Sequence, residues 1–308
     1  MKNKIKIILF GGNRLLEDGP IGDLIDFLKK KKINFFLITD PIHLKKKIFN
    51  GTSFREQIKS IKHLSFKKLN DKKILQLIDN KTYGISINSV WKFSALLISK
   101  FNGRLFNYHA ANLPQERGAA NLTWKILQKD FKKNTINIHK VDVEFDTGHI
   151  ASSKKINFPK KDLLPKDYLK IIRSKENFFL INFIKKILKQ KKIVLKKQNG
   201  DQYYWPRLNA NKDGKIDWSW DVEDIVLFIK GFSYPYSGAF SFIFDNKIKI
   251  FDANFVKKKK FHPFQNGLIF RENNREIFIA NKTGYIVIKK DNIKSEKVQK
   301  KYLGKKFL

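Results

Sequence analysis

Three polar side chains of different chemistry lie within the segment Arg104–Ile150: the amide of Asn107, the imidazole of His109 and the carboxylate of Asp146. Each lies at or just past the end of an apolar stretch that is typical of a β-strand. A histidine next to a carboxylate suits proton transfer, because the carboxylate fixes one tautomer and favours the charged ring. An asparagine N–H suits an oxyanion that develops at an attacked carbonyl. These residues indicate direct acyl transfer to an amine; the alternative is that His109 makes only structural hydrogen bonds.

The composition narrows the possible chemistry. The chain has no cysteine, which excludes a thiolate nucleophile, a disulfide framework and a cysteine zinc site. The other histidines lack the spacing of a metal site such as H-x-x-x-H, so we expect no metal. For His139 and His149 we favour a structural role. These other histidines are His43, His63, His139, His149 and His262.

Apolar runs alternate with helical patterns on the N-terminal side of these residues. The continuous runs predict buried strands, and apolar residues spaced three or four apart predict the helices between them. This alternation predicts an α/β fold of Rossmann-like type with a largely parallel sheet. Gly11-Gly12-Asn13 follows the first strand but lacks the spacing of a dinucleotide fingerprint. The predicted strands are Lys4–Phe10, Ile33–Thr39, Tyr83–Asn88 and Arg104–Tyr108, and the clearest helices are Pro20–Lys32, Lys92–Phe101 and Asp167–Lys189.

The pattern changes after the long helix. From Gly238 onward, short strand-like stretches are separated by turn-forming pairs such as Asp245-Asn246. This pattern predicts a small β-barrel-like domain of OB type. We therefore expect a catalytic domain over residues 1–190, a linker over 191–215 and a C-terminal domain over 216–308.

The chain of 308 residues carries a formal net charge of +36, mostly from lysine. One interpretation is the codon bias of an AT-rich genome, since asparagine, isoleucine and phenylalanine are over-used as well. The other is an anionic partner, such as tRNA, a nucleotide or an acidic membrane surface. Lysines interrupt the apolar run of Met1–Phe10, and no window approaches the ~18 apolar residues of a spanning helix. We expect a soluble, cytoplasmic protein without a membrane span, and a homodimer stays an open alternative.

The central segment resembles the formyltransferases that use N10-formyltetrahydrofolate. That family reads N-x-H, then a loop S-L-L-P-x-x-R-G, a helix with a tryptophan, and D-x-G-x-D-T-G-x-I. Residues 216–219 (IDWS) and 229–240 (IKGFSYPYSGAF) resemble the entry to the C-terminal domain of methionyl-tRNA formyltransferases and of some sugar-nucleotide N-formyltransferases. The matching positions in the central segment are Asn107, His109, Leu113, Pro114, Arg117, Gly118, Trp124, Asp142, Asp146, Thr147, Gly148 and Ile150.

The resemblance implies a role for each polar residue. His109 would stabilise the tetrahedral oxyanion and help to transfer protons, and Asn107 would donate to the same oxygen. Asp146 would orient His109 and accept the proton of the amine, directly or through water. The folate would lie between the loops Ser86–Phe93 and Val141–Asp146. The folate-binding residues implied are Ser86, Trp91 (stacked on the pterin, or else packed in the core), Leu113, Pro114, Val143 and Phe145.

Departures from the family pattern bear on the amine acceptor. The family's S-L-L-P is Ala111–Pro114 here, and Val143–Phe145 replaces the family's glycine before Asp146. The tRNA enzymes carry a loop of the type R-P-A-G-R-G-K-K after the second strand, whereas Asp40–Gly51 lacks this pattern. Together with the aromatic element Tyr203–Arg207, these departures favour the primary amine of a nucleotide-linked amino sugar as acceptor. The alternative is methionyl-tRNA, favoured by the basic charge, and the remote alternative is a non-catalytic nucleic-acid-binding protein.

Overall fold

The computed structural model describes residues 5–12, 19–45, 53–131, 134–159, 163–295 and 301–308. The chain divides into two compact units. The N-terminal unit consists of Met1–Gly118, Lys133–Phe158 and Lys170–Tyr204, and the C-terminal unit of Ala119–Lys132, Pro159–Leu169 and Trp205–Leu308. Within the ranges given above, no helix has the length and apolar character that crossing a membrane would need.

Strands and helices alternate along the first part of the chain, as the apolar periodicity predicts. The elements are β1 (Lys6–Gly11), α1 (Pro20–Lys30), β2 (Asn34–Thr39), α2 (Pro41–Leu44), α3 (Phe54–Gln57), β3 (His63–Ser65), α4 (Asp71–Leu75), β4 (Thr82–Ile87), α5 (Ala95–Phe101), β5 (Leu105–His109), β6 (Arg117–Gly118), α6 (Asn121–Gln128), β7 (Thr135–Lys140), β8 (Ile150–Lys155), α7 (Pro165–Leu188) and β9 (Tyr204–Trp205).

The main sheet of the N-terminal unit has the strand order β3-β2-β1-β4-β5-β7-β8. The pairs among β1 to β5 are parallel, whereas β5 pairs with β7, and β7 with β8, in antiparallel direction. The predicted Rossmann-like, largely parallel sheet is therefore confirmed. The chain order reverses between β1 and β4, and ligand sites in open α/β sheets lie beyond the carboxyl ends of strands near such a reversal. Asn107 and His109 are carried by the carboxyl-terminal half of β5.

The core of this unit follows from the apolar patterns. The side chains of Ile7–Phe10 in β1 are fully buried, as a strand covered on both faces requires. Helix α1 begins at Pro20, whose fixed φ suits the first turn of a helix. Its buried face has the predicted helical spacing and consists of Ile21, Leu24, Ile25 and Leu28.

The C-terminal unit contains two antiparallel sheets, with strand orders β10-β11-β16 and β12-β15-β14-β13. The predicted small β-rich C-terminal domain is thus confirmed, and its strands pair in antiparallel sheets. The Trp218 ring stacks on Phe307 at 4.9 Å between centroids, and its indole N–H donates to Ser241 Oγ at 2.9 Å, so the IDWS tetrapeptide anchors the core of this unit. Its elements are α8 (Ala210–Asp213), α9 (Val222–Gly231), β10 (Ala239–Ile243), β11 (Asn246–Ile250), β12 (Asn254–Val256), β13 (Ile269–Glu272), β14 (Glu276–Asn281), β15 (Gly284–Lys289) and β16 (Ile293–Ser295).

Helix α6 belongs to the C-terminal unit, although it comes early in the chain. Thr123 Oγ1 donates to the Gly231 carbonyl of α9 at 2.8 Å, and the Trp124 ring lies 5.1 Å from the Trp205 ring. The tryptophan of the family motif therefore packs within this unit. The linear domain boundaries at residues 190 and 216 stay a prediction, whereas side-chain packing groups α6 with α9.

Candidate active site

The antiparallel pair β5 and β7 brings polar side chains together. Side chains two residues apart on a strand point to the same face, so Asn107 and His109 share one face of β5. Across the pair, Asn107 lies opposite His139 and His109 lies opposite Asn137. On the other face of β5, the hydroxyl of Tyr108 donates to a buried carboxylate of α7 at 2.8 Å. The face of β5 that carries Asn107 and His109 is therefore polar, and it is directed at the loop that follows β7.

That loop delivers the carboxylate of Asp146 to the polar face. Oδ1 lies 3.2 Å from Asn107 Nδ2 and 3.2 Å from His139 Nε2. Oδ2 accepts from the Gly118 N–H at 2.9 Å and lies 3.6 Å from His109 Nδ1. The structure therefore brings together Asn107, His109 and Asp146, the three residues that we predict to be catalytic.

The surroundings of Asp146 hold its carboxyl group in the ionised form. Burial alone would raise its pKa, but the charge of His109, the hydrogen bond with His139 and the Gly118 N–H lower it. The net effect places the pKa of Asp146 well below the ordinary value of an aspartate. At neutral pH the group is a carboxylate that accepts hydrogen bonds and orients its neighbours.

Because the pKa of Asp146 is lowered in the folded protein, we predict that Asp146→Asn destabilises the fold by an amount that depends on pH. A carboxyl group whose folded-state pKa is lowered stabilises the fold above its unfolded pKa of about 3.9, and this stabilisation is lost as the pH falls toward the folded value. We expect Asp146→Asn to lower the free energy of unfolding at pH 7 by about 2 kcal/mol, with a smaller difference at about pH 3. Urea unfolding of both proteins at the two pH values measures this, and a difference that grows on acidification would contradict it.

The ring of His109 has an oxygen beside each nitrogen. Nε2 lies 2.6 Å from the Glu116 carbonyl, which only accepts hydrogen bonds, so Nε2 carries the hydrogen of that contact. Nδ1 faces the Asp146 carboxylate at 3.6 Å. This second contact is longer than a hydrogen bond, so the ring is held by the Glu116 carbonyl and lies beside the carboxylate without a direct hydrogen bond to it.

His139 lies in this cluster, although we favoured a purely structural role from the sequence. Its Nδ1 donates to the Lys140 carbonyl at 2.8 Å, which leaves Nε2 directed at Asn107 Nδ2 at 3.1 Å and at Asp146. His139 is buried and contacts two of the three predicted catalytic residues. The signal for it is its register, since it lies opposite Asn107 in the strand pair. His149, by contrast, is exposed.

The side chains of the six predicted folate-binding residues differ in their exposure to solvent. Ser86 is fully buried and its hydroxyl donates to Ser89 Oγ at 3.0 Å. Trp91 packs in the hydrophobic core of the N-terminal unit, and its indole N–H donates to the Lys67 carbonyl at 3.2 Å. Packing in the core was one of the two alternatives for Trp91. The side chains of Ser86 and Trp91 are therefore not expected to reach a ligand.

The remaining four belong to two loops next to the polar cluster. Leu113 and Pro114 are joined by a cis peptide bond, with Pro114 buried and Leu113 partly exposed. Val143 and Phe145 are 47% and 46% exposed and directly precede Asp146. The Phe145 ring also lies 5.6 Å from Lys92 Nζ. An accessible aromatic ring next to a cation complements the ring system and carboxylates of a folate.

Two further polar side chains, those of Arg117 and Gln198, adjoin the loop that carries Asp146. From the sequence we assigned a role to neither. Arg117 is buried, and burial lowers the pKa of its guanidinium despite the opposing charge of Asp146. Gln198 is buried beside it and contacts the turn that carries Asp146. Arg117 had a signal, the R-G of the motif, whereas Gln198 is a single residue in an irregular stretch. Among the residues that the structure describes, no group of three or more metal-ligating side chains has the geometry of a metal site.

Comparisons with known proteins agree with this architecture. Residues 210–302 match the family model described as Formyl transferase, C-terminal domain. The bifunctional polymyxin resistance protein ArnA of Wigglesworthia glossinidia brevipalpis is 28% identical over 196 residues, which cover 62% of this chain and 30% of that protein. A methionyl-tRNA formyltransferase of Clostridium tetani is 28% identical over 192 residues, with 62% of this chain and 60% of that protein covered. The chain therefore spans less than two thirds of the length of either relative.

A solved structure extends the likeness to nearly the whole chain. The crystal structure of WlaRD, a sugar 3N-formyl transferase in the presence of dTDP and 5-N-formyl-THF, has a TM-score of 0.68 and 18% identity. The match covers 93% of this chain and 98% of that one, and at this identity it concerns the fold. Fold and site define a two-unit α/β protein with an Asn–His–Asp cluster at the sheet edge. The chain thus resembles formyltransferases, through a family model over residues 210–302 and through its fold over most of its length.

Proposed function

We propose that this protein transfers a formyl group from N10-formyltetrahydrofolate to a primary amine. The observation that carries the proposal is the convergence of Asn107, His109 and Asp146 at the carboxyl end of β5. The formyltransferases that the chain resembles supply the reaction type. This cluster supplies an ionised carboxylate whose oxygens lie 3.2 Å from the amide nitrogen of Asn107 and 3.6 Å from Nδ1 of His109. Such groups serve a reaction that needs proton transfer and stabilisation of charge on oxygen.

Formyl transfer requires these groups to stabilise negative charge and to move protons. The amine nitrogen attacks the formyl carbon, negative charge develops on the formyl oxygen, and the bond between that carbon and N10 breaks. The amine loses one proton and N10 gains one. The charged ring of His109 stabilises the oxygen and supplies a proton, while Asp146 keeps the ring charged and oriented. A carboxylate with a depressed pKa suits this orienting role better than long retention of the amine's proton.

The role proposed for Asn107, donation to the formyl oxygen, depends on a change in its present hydrogen bonds. Its amide nitrogen donates to Asp146 Oδ1 at 3.2 Å and lies 3.1 Å from His139 Nε2, to which it donates only when that nitrogen carries no hydrogen. Donation to the formyl oxygen requires the exchange of one of these bonds for one to the substrate. Apo geometry of this kind is common for catalytic hydrogen bonds, which tighten in the complex with substrate.

For the acceptor we propose the amine of a nucleotide-linked amino sugar. Tyr203 and Tyr204 are 51% and 58% exposed, and the Tyr204 ring lies 6.2 Å from Phe145, next to the catalytic carboxylate. Accessible aromatic rings stack well on a nucleobase. The solved sugar formyltransferase described above contains dTDP, which supports the same acceptor class. The tRNA-type loop is absent from the sequence of Asp40–Gly51, and residues 46–51 of it lie outside the described residues.

Methionyl-tRNA is the second candidate acceptor. The Clostridium tetani relative carries that name, and the net charge of +36 suits an anionic macromolecule. The two candidates share their chemistry and differ only in the partner, so a direct assay separates them.

The assay combines the purified chain and N10-formyltetrahydrofolate with either charged initiator tRNA or a panel of 4-amino-sugar nucleotides. Release of tetrahydrofolate and the mass of the acceptor are measured in both arms. We expect transfer to an amino-sugar nucleotide. Transfer to the tRNA alone would replace the acceptor proposal, and no transfer in either arm would count against the activity itself.

A further inference from the structure

The backbone of Asp146 has an uncommon conformation. Its φ is +56°, in the left-handed region that few residues other than glycine adopt, aspartate and asparagine most readily among them. Two residues later, the chain passes so close to β7 that a Cβ on Gly148 would lie 1.8 Å from the Lys140 carbonyl oxygen. Contacts with β7 thus restrain one side of the turn 146–148.

Gln198 holds the same turn by its main-chain carbonyls. Its Nε2 donates to the carbonyl of Asp146 at 2.8 Å and to the carbonyl of Gly148 at 2.7 Å. Both N–H groups of the amide are therefore used on two carbonyls that flank the turn. The side chain is buried, so these bonds do not compete with water.

Arg117 determines which way this amide points. Its Nε and Nη2 donate to Gln198 Oε1 at 3.3 and 3.0 Å, and its Nη1 donates to Gln202 Oε1 at 2.7 Å. Because a guanidinium group only donates, it must face the amide oxygen and not the amide nitrogen. The buried cation thereby directs the two N–H groups of Gln198 at the turn.

We propose that Gln198 is a positioning residue that holds Asp146 in its left-handed conformation and so aims the carboxylate at His109 and His139. Arg117 orients Gln198 and acts on Asp146 through it. The inference rests on the proposed formyl transfer for its kinetic consequence, while its structural consequence is independent of any acceptor. Gln198 touches no reacting atom, so its effect falls on the turnover step more than on binding.

The test compares Gln198→Met and Gln198→Glu with the control Gln202→Met. Both Gln198 variants keep the length of the side chain but lose the two N–H donors, and Gln198→Glu also keeps an acceptor for Arg117. Gln202 is exposed and contacts the same guanidinium, without a bond to the turn. We expect kcat to fall about 10- to 100-fold in both Gln198 variants, by analogy with the loss of hydrogen-bonding partners that orient the ligands of a metal ion. KM for the folate should change less than threefold, and Gln202→Met should remain within threefold in kcat.

A second readout works whether or not an acceptor is known. The carboxyl carbon of Asp146 is titrated by NMR in the full-length protein and in all three variants. The titratable and charged groups that face it are His109, His139 and Arg117. A displaced carboxylate loses its contacts with the imidazoles, so its pKa should rise toward the ordinary aspartate value in both Gln198 variants and stay low in Gln202→Met.

The outcomes separate the inference from the proposed function. A carboxyl titration in both Gln198 variants that matches the wild type would overturn the positioning role, even if formyl transfer is confirmed. A raised pKa of Asp146 in a protein that transfers no formyl group would support the positioning role and count against the activity. If Gln198→Met does not fold, kcat and the KM for the folate of Gln198→Glu decide, because this variant preserves the pairing with Arg117 whereas its added negative charge raises the pKa of Asp146 by itself.

Discussion

Replacement of His109 by glutamine is expected to lower kcat/KM for the proposed formyl transfer by about 10²- to 10⁴-fold, the usual loss for removal of a positioned acid–base group. Glutamine fills a similar space and keeps an N–H donor for the Glu116 carbonyl, which lies 2.6 Å from Nε2 in the native site. It cannot carry positive charge next to Asp146, so charge on the formyl oxygen loses its cationic neighbour. The loss therefore reports chemistry and not collapse of the strand end.

The matched control is His149→Gln, the same substitution in the same segment at an exposed position. The main-chain carbonyl of His149 pairs with Lys140, and this contact does not depend on the side chain. We expect the control to remain within twofold in kcat/KM, and both variants to melt within a few degrees of the wild type. His109→Gln with activity within fivefold of the control would remove His109 from the chemistry and favour the non-catalytic alternative.

The fold could be predicted because its signals are local. The strands β1 and β2 contain continuous apolar stretches, and α1 shows its buried face as apolar residues three and four apart. The direction of β7 and β8 is not a local property, since an isolated strand pattern does not specify whether its neighbour runs parallel or antiparallel. The packing of α6 on α9 is equally non-local, because it joins Thr123 to Gly231 across more than a hundred residues.

The residues of the candidate site likewise fall into those that a sequence motif marks and those that only the fold brings together. Asn107, His109 and Asp146 could be predicted because a short motif carries them, and the structure brings them together. His139 required the antiparallel register of β7, which places it opposite Asn107. Gln198 is a single amide in an irregular segment 52 residues after Asp146, and no spacing or periodicity marks it. Trp91 is the opposite case. It is an aromatic residue in a loop predicted to bind the folate, yet it packs in the hydrophobic core of the N-terminal unit.

Asp146→Asn should lower kcat by about 10²- to 10⁴-fold, comparable to the loss at His109. The substitution keeps the size of the side chain but removes the charge beside the imidazole, whose Nδ1 lies 3.6 Å from Oδ2. It also turns one oxygen into an N–H donor, which must then face either Asn107 Nδ2 or the Gly118 N–H, both of them donors. Charge and orientation are therefore lost together. Asp201→Asn, the same change in an exposed loop, serves as the control.

The double variant His109→Gln/Asp146→Asn distinguishes two roles for this carboxylate. If Asp146 acts by orienting and charging His109, its removal costs little once the imidazole is gone, because residues that act as a unit give strongly non-additive losses. We expect kcat of the double variant to lie within about fivefold of His109→Gln alone. Losses that multiply would mean that Asp146 acts on the amine independently of the ring. Steady-state kinetics of the wild type, the two single variants and the double variant at one pH, each checked for folding, decide between these roles.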